Sequence, residues 1–257
     1  MKLLFVGDIF SKLGRKAFEE NVKRIKNEQK INFIIANGEN ISHGKGMNEG
    51  HYKWLLEQGA NVITLGNHSF QQKSILNFID DVNNVVRPLN MVTDHGKGYV
   101  TVNYNGVKIT VLQVIGKVLM DENNLSPFIE TKKVLDELDS NIIICDMHAE
   151  ATSEKVAYGY AFDGKVTAVL GTHTHVQTSD ARILDGGTAY ITDVGMTGPL
   201  DGVIGVEKSI IIDRYLNDGR QRFTPADTGK YQFCAVIIDI DDKTYKAKNI
   251  ETIRIID

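Results

Sequence analysis

The first half of the chain alternates short unbroken apolar runs with stretches of helical spacing. Residues 3–6, Leu3-Leu4-Phe5-Val6, are continuously apolar, which suits a strand buried on both faces. The stretch 12–30 sets Ala17-Phe18, Val22 and Ile25 on one helical face, with Ser11 as the expected N-cap. A second buried strand is expected over 31–36, a glycine-rich loop over 38–50 and a helix around 51–58. A third strand over 61–65 and a helix over 71–82 follow. Residues 99–114 alternate apolar and polar on both sides of Asn105-Gly106, the strongest short hairpin signal. A helix over 126–138 leads into strands at 141–145, 166–170 and 189–192. The segments 233–240 and 245–255 flank Asp241-Asp242 as a second hairpin. With no repeat, low-complexity tract or linker, the pattern predicts a single domain over 1–257. Its class is α/β: two stacked mixed β-sheets flanked by helices.

Composition narrows the function classes. With 257 residues, 42% hydrophobic and 24% charged, the chain is neither disordered nor fibrous. The formal net charge of −4 lacks the basic excess of a duplex-DNA binder and argues mildly against long polyanionic substrates. The two cysteines, Cys145 and Cys234, lie far apart in apolar runs and read as buried free thiols. The N-terminal apolar run meets Gly7-Asp8 too soon for a secretion signal, and no run approaches the ~20 apolar residues of a membrane span. A cytoplasmic protein with no membrane partner is expected; the assembly state is left open, a homo-oligomer included.

Polar groups cluster where the buried strands end. Asp8 follows the first; Glu39 and Asn40 the second; Asn67 and His68 the third. His148 follows the fourth, and His173 and His175 the fifth. In open α/β sheets the carboxyl ends of the strands form the ligand crevice, so these groups should converge. They offer hard oxygen and borderline nitrogen donors and no thiolate, a set suited to Mn, Fe or Zn. There are more donors than one tetrahedral ion needs, and two metals sharing a carboxylate is the economical reading. Two divalent ions against Asp8 and Glu39 would leave net positive charge, attractive to phosphate, in the geometry of a two-metal clamp. In an extended segment, residues two apart point the same way, so His173 and His175 could reach one site.

Gly7-Asp8, Gly38-Glu39-Asn40, Gly66-Asn67-His68, Asp146-Met147-His148-Ala149-Glu150 and Gly171-Thr172-His173-Thr174-His175 resemble the motifs of the calcineurin-like metallophosphoesterases. The set is most similar to the bacterial YmdB-type branch, described as 2′,3′-cyclic-nucleotide 2′-phosphodiesterases. Thr192-Asp193-Val194-Gly195-Met196-Thr197-Gly198 resembles that branch too. The wider superfamily has Asp-x-His in the first block, where this chain has Asp8-Ile9-Phe10, and Asp where it has Glu39. Both departures match the YmdB-type pattern. The resemblance implies an α-β-β-α metallophosphoesterase sandwich. It implies one metal on Asp8, Glu39, Asn40 and His175, another on Glu39, Asn67, His148 and His173, and iron or manganese as the ions, divalent or trivalent. His68 would face the scissile phosphate without being a ligand.

The expected reaction is hydrolysis of a small nucleotide or RNA-end phosphodiester by a metal-bridging hydroxide, with His68 donating a proton to the departing ribose oxygen. A phosphomonoesterase or nuclease could use the same site, and a regulatory scaffold with structural metals is the rival from another class. Lys45, in the loop beside Glu39, is a candidate phosphate contact, and Tyr158 and Tyr160 are candidates for stacking on a base. Asp146 and Glu150 are candidates to orient His148. Trp54 is expected in the core, and His51 and His95 are expected to be structural or solvated.

Overall fold

All four residues of Leu3-Leu4-Phe5-Val6 are fully buried. The strand has a packed layer on each side. Leu3 and Phe5 enter a core with Phe33, Ile35, Ile109 and Val111. Leu4 and Val6 enter a different one, with Phe18, Val22 and Ile34. The computed structural model describes residues 1–121 and 123–257. Its elements in chain order are β1 (Lys2–Val6), α1 (Ser11–Gln29), β2 (Phe33–Asn37), α2 (Glu49–Gln58), β3 (Val62–Thr64) and β4 (Val85–Val86). Next come β5 (Tyr99–Tyr104), β6 (Val107–Ile115), α3 (Pro127–Glu137), β7 (Ile142–His148), α4 (Thr152–Ala161) and β8 (Ala168–Thr172). The last are β9 (Arg182–Ile183), β10 (Ala189–Ile191), β11 (Gly198–Pro199), α5 (Lys208–Asn217), β12 (Tyr231–Ile240) and β13 (Ala247–Ile256).

The strands form two mixed sheets. The first has the order β11-β12-β1-β2-β3-β4, with β13 also paired to β12; the second has the order β5-β6-β7-β8-β10-β9. In the first, β1 to β4 are parallel and β12 is antiparallel to β1. In the second, β6, β7, β8 and β10 are parallel and β5 and β9 antiparallel. One core lies between the sheets. A second joins the first sheet to α1 and α2 through Phe18, Val22 and Leu55. A third joins the second sheet to α3 and α4 through Leu112, Met147, Tyr158 and Phe162. The layering is α-β-β-α, as the alternation of buried runs and amphipathic stretches predicts. Trp54 packs on Phe18 at the edge of the α1–α2 core, ring centroids 5.9 Å apart.

Local signals hold where they are chemical. The hairpin between β5 and β6 turns on Asn105 (φ 51°) and Gly106 (φ 89°), the left-handed pair a tight turn requires. Ser126 caps α3, accepting from the Ile129 amide. Two expectations fail. Ser11 is not the N-cap of α1: Phe10 occupies that place, and the Ser11 hydroxyl donates to Asp227 at 2.8 Å. The helix expected over 71–82 shrinks to a single 3₁₀ segment, Lys73–Asn77. Ile75, Phe78 and Ile79 still reach the core, so one tight turn achieves the burial that the helical spacing implied. Cys145 and Cys234 are buried free thiols, both pushed by burial up to about 12. Among the described residues, no helix is long and apolar enough to cross a membrane.

His51 and His95 are structural, as expected. His95 pairs with Asp80 at the surface, 2.9 Å apart. His51 lies 2.6 Å from Ser42 Oγ and ties α2 to the glycine-rich loop. Burial, with Arg15 and His43 nearby, lowers the pKa of His51 to about 4. The folded state therefore keeps it neutral where the unfolded chain takes up a proton. That contribution is present above pH ~6.5 and is lost as pH falls toward 4. Urea denaturation across that window should show stability falling with acidity, less steeply in His51→Gln. Parallel profiles for the two proteins would remove His51 as a cause.

Candidate active site

The site forms where β1, β2, β3, β7 and β8 end, because parallel strands deliver their carboxyl ends to one side. Asp8, Glu39, Asn40, Asn67, His68, His148, His173 and His175 meet there. Glu39 is central. Its carboxylate accepts from Asn40 Nδ2 at 2.9 Å and from the His68 amide at 3.1 Å, and lies 3.3 Å from His148 Nε2. His148 Nε2 is 2.8 Å from Asn67 Oδ1 and 3.2 Å from His173 Nδ1. On the other side, His175 Nε2 is 3.2 Å from Asn40 Nδ2 and 3.8 Å from Asp8 Oδ1.

Each imidazole is aimed by its outer nitrogen. The Thr172 hydroxyl donates to Asp146 at 2.6 Å, so it accepts from His148 Nδ1, 2.8 Å away. That leaves His148 Nε2 facing the site. His175 Nδ1 donates to the Ile204 carbonyl at 2.9 Å, and His173 Nε2 lies 3.3 Å from Glu150. In all three, these outer partners leave the other ring nitrogen facing inward, where its lone pair could serve a cation. Asp146 thus orients His148 through Thr172, while Glu150 serves His173 rather than His148.

Electrostatics in this pocket are strongly coupled. Burial alone would lower the pKa of His148, but Glu39, Asp8 and Asp146 together raise it to about 9. Burial would raise Glu39, yet His148 and His68 hold its carboxyl well below the usual range. Burial and the charge on His148 lower His173 to about 3. Burial raises Asp8 against the pull of His175 and His148, and raises Asp146 to about 6.

The donor set fits a pair of cations. Two groups, Asp8-Glu39-His175 and Glu39-His148-His173, each have ligand atoms within 4.8 Å of one another, and Glu39 belongs to both. Asp8 Oδ1 is buried with no hydrogen-bond partner, which makes it an acceptor awaiting a charge. A Cβ on Gly66 would fall 2.2 Å from Glu39 Oε2 and 2.5 Å from His148 Nε2, so glycine keeps the space between them clear. Asn67 presents its oxygen. Asn40 presents its amide nitrogen to Glu39 and His175, with its oxygen 3.0 Å from His68 Nδ1, so it would ligate with the amide turned. His68 is in neither group, and it lines an adjoining cavity of about 430 Å³.

The family profile of YmdB-like proteins matches residues 4–253. The chain belongs to the YmdB-like family. It is 46% identical over 260 residues to the 2′,3′-cyclic-nucleotide 2′-phosphodiesterase of Bacillus subtilis (strain 168), covering 100% of this chain and 98% of that one. It superposes with a TM-score of 0.96 on a structure described as a novel phosphatase of Mycoplasma pneumoniae, at 37% identity over 100% of this chain and 93% of that one. A hypothetical protein from Thermus thermophilus superposes with a TM-score of 0.94 at 36% identity, over 100% and 99% of the two chains. The resemblance read from the motif blocks is therefore borne out, down to the YmdB-like branch.

Some features of this YmdB-like site escaped the sequence reading. His173 (φ 97°) and His175 (φ 67°) are not in an extended segment but in the left-handed region, and each serves a different donor group. Such backbone costs about 1–3 kcal/mol per residue and needs outside restraint. Asp193 supplies it, accepting from the Thr174 amide at 3.1 Å and its hydroxyl at 2.7 Å. Lys155, only 1% exposed, donates to Asp193 and to the Thr172 carbonyl, both at 2.7 Å. The Thr192-Asp193 block was visible as a motif, but nothing in it named Lys155 as its partner. Lys155→Met should cost about 3–5 kcal/mol by leaving Asp193 buried and unpaired. Urea denaturation checks this, and a loss under ~1 kcal/mol would contradict it. Tyr158 is not a base-stacking residue: it is fully buried, with its hydroxyl 2.6 Å from Thr131. Tyr160 is exposed and lies outside the cavity beside His68, whereas Lys45 lines it.

Proposed function

We propose that the chain is a dinuclear-metal phosphodiesterase that opens 2′,3′-cyclic nucleotides at the 2′ ester. The observation that carries this reading is the pair of acid–imidazole groups sharing Glu39 beside an unpartnered, buried Asp8 oxygen. Asp8, Glu39, Asn40 and His175 would hold one ion, and Glu39, Asn67, His148 and His173 the other. The name of the Bacillus subtilis relative supports the substrate class. Carboxylate, carboxamide and imidazole donors without thiolate suit Mn, Fe or Zn, and the family resemblance points among these to iron or manganese. When bound, the metal pair supplies Lewis acidity and a nucleophile at neutral pH.

The chain's own residues do the rest. Glu39 stays ionised, because His148 and His68 hold its pKa down against burial. His173 stays neutral, with a lone pair to offer. His68 Nδ1 faces the side-chain amide of Asn40, 3.0 Å away, which leaves Nε2 for the substrate cavity. Water's oxygen bonds to phosphorus and releases one proton to solvent as the bond from phosphorus to O2′ breaks; His68 gives its Nε2 proton to O2′ and regains one from solvent. That avoids expelling a free alkoxide. The ring also stabilises charge on the phosphoryl oxygens.

Manganese-loaded protein should convert a nucleoside 2′,3′-cyclic phosphate to the 3′-phosphate. It should also cleave bis(p-nitrophenyl) phosphate faster than the monoester. A 2′-phosphate product would overturn the assignment of the broken bond. Preference for the monoester would favour a phosphomonoesterase, and metal-loaded protein inert on every diester would favour a scaffold.

A further inference from the structure

The cavity beside His68 and His175 is lined on its remaining sides mostly by apolar and aromatic groups, among them Phe10, Ile204, Val206, Tyr215 and Phe223. Tyr215 is 84% exposed and Phe223 is 40% exposed, so both side chains reach solvent beside the donor groups. The Arg214 guanidinium sits 4.2 Å from the centre of the Phe223 ring. Gly44 lets the loop pack against the cavity wall: a Cβ there would stand 2.7 Å from the Phe10 ring, and its φ is 81°.

A second depression adjoins this cavity and shares His43, Lys45, Arg214 and Phe223 with it. It adds Arg220 and Arg222. Among the described residues, none of Lys45, Arg214, Arg220 and Arg222 forms an ion pair with an acidic side chain. Four unpaired cations in one groove stand out in a chain of net charge −4. An apolar, aromatic cavity next to the reacting centre fits a base, because stacking accepts any base face. A basic groove running on from it fits the phosphates of a strand.

We propose that the substrate is the 3′ end of a single-stranded RNA bearing a terminal cyclic phosphate, with its last base in the Tyr215–Phe223 cavity and the preceding phosphodiester in the Lys45–Arg214–Arg220–Arg222 groove. This rests on the phosphodiesterase reading and extends it from free nucleotides to RNA ends. The overall acidity of the chain hid the groove, whose cations come from residue 45 and from 214–222, far apart in sequence. A free mononucleotide without a 5′-phosphate fills only the cavity. A dinucleotide places its internal phosphate in the groove.

The test compares kcat/KM for a nucleoside 2′,3′-cyclic phosphate with that for a dinucleotide ending in the same cyclic phosphate. The dinucleotide should be favoured by about tenfold or more at low salt, with the advantage shrinking as salt rises. In the double variant Arg220→Ala/Arg222→Ala, the ratio of the two kcat/KM values should fall toward one. Circular dichroism checks the fold of that variant, and both arginines are exposed. Equal kcat/KM for the two substrates in the wild type, or an unchanged ratio in the double variant, overturns the RNA-end proposal and leaves the phosphodiesterase reading standing. No turnover of either substrate overturns both.

Discussion

Glu39→Gln is expected to strip bound metal and activity together. Gln keeps the size of the side chain but removes the one charge common to both donor groups. Each group then loses a buried anion: one keeps Asp8 as its only carboxylate, the other keeps only neutral imidazoles and an amide, and both hold a divalent ion less well. Metal content should fall well below two equivalents. Metal catalysis is worth several kcal/mol of charge stabilisation, so kcat should drop on the order of 10³-fold or more. Elemental analysis of the purified variant, beside steady-state rates, checks both parts. Full metal content with unchanged turnover would remove Glu39 from the centre of the site.

His68→Ala separates proton transfer from metal binding. His68 lies outside both donor groups and contacts the site through Asn40 and Glu39. Its loss should cut turnover about 10²–10⁴-fold, the usual contribution of a general acid. Metal content should stay near that of the wild type. Substrates with a good leaving group, such as p-nitrophenolate, should be spared most of the loss, since they need no proton. An equal loss on good and poor leaving groups would assign His68 to charge stabilisation. Loss of metal would make it a ligand.

Much of the site was legible because burial on two faces leaves a strong trace. Leu3 to Val6, Ile34 to Ala36 and Ile142 to Cys145 read as unbroken apolar runs since each strand has a core on either side. Whatever polar residue ends such a run stands at the crevice, which is how Asp8, Glu39 and His148 were found. The helix over 71–82 was misread because Ile75, Phe78 and Ile79 keep a helical spacing that one 3₁₀ turn satisfies. Helix α5 left no trace for the opposite reason. Of its apolar residues only Ile211 is buried, while Ile212, Tyr215 and Leu216 face solvent, so no amphipathic stripe marks it.

Pairings between distant residues were the least legible. Lys155 meets Asp193 across 38 positions of sequence, and His175 finds the Ile204 carbonyl across 29. Neither follows from local spacing. The left-handed backbone at His173 and His175 was equally hidden, because neither is glycine and sequence gives no warning of strain held by outside contacts. The aromatic reading went to Tyr158, which the third core buries, and missed Tyr215 and Phe223, which the topology sets beside His68.

Crystals of manganese-loaded protein, with anomalous differences recorded at the metal edge, test the account most directly. It predicts two peaks in one pocket: one among Asp8, Glu39 and His175, the other among Glu39, His148 and His173, with the Glu39 carboxylate between them. A single peak, or metal bound anywhere that Glu39 does not reach, would contradict it.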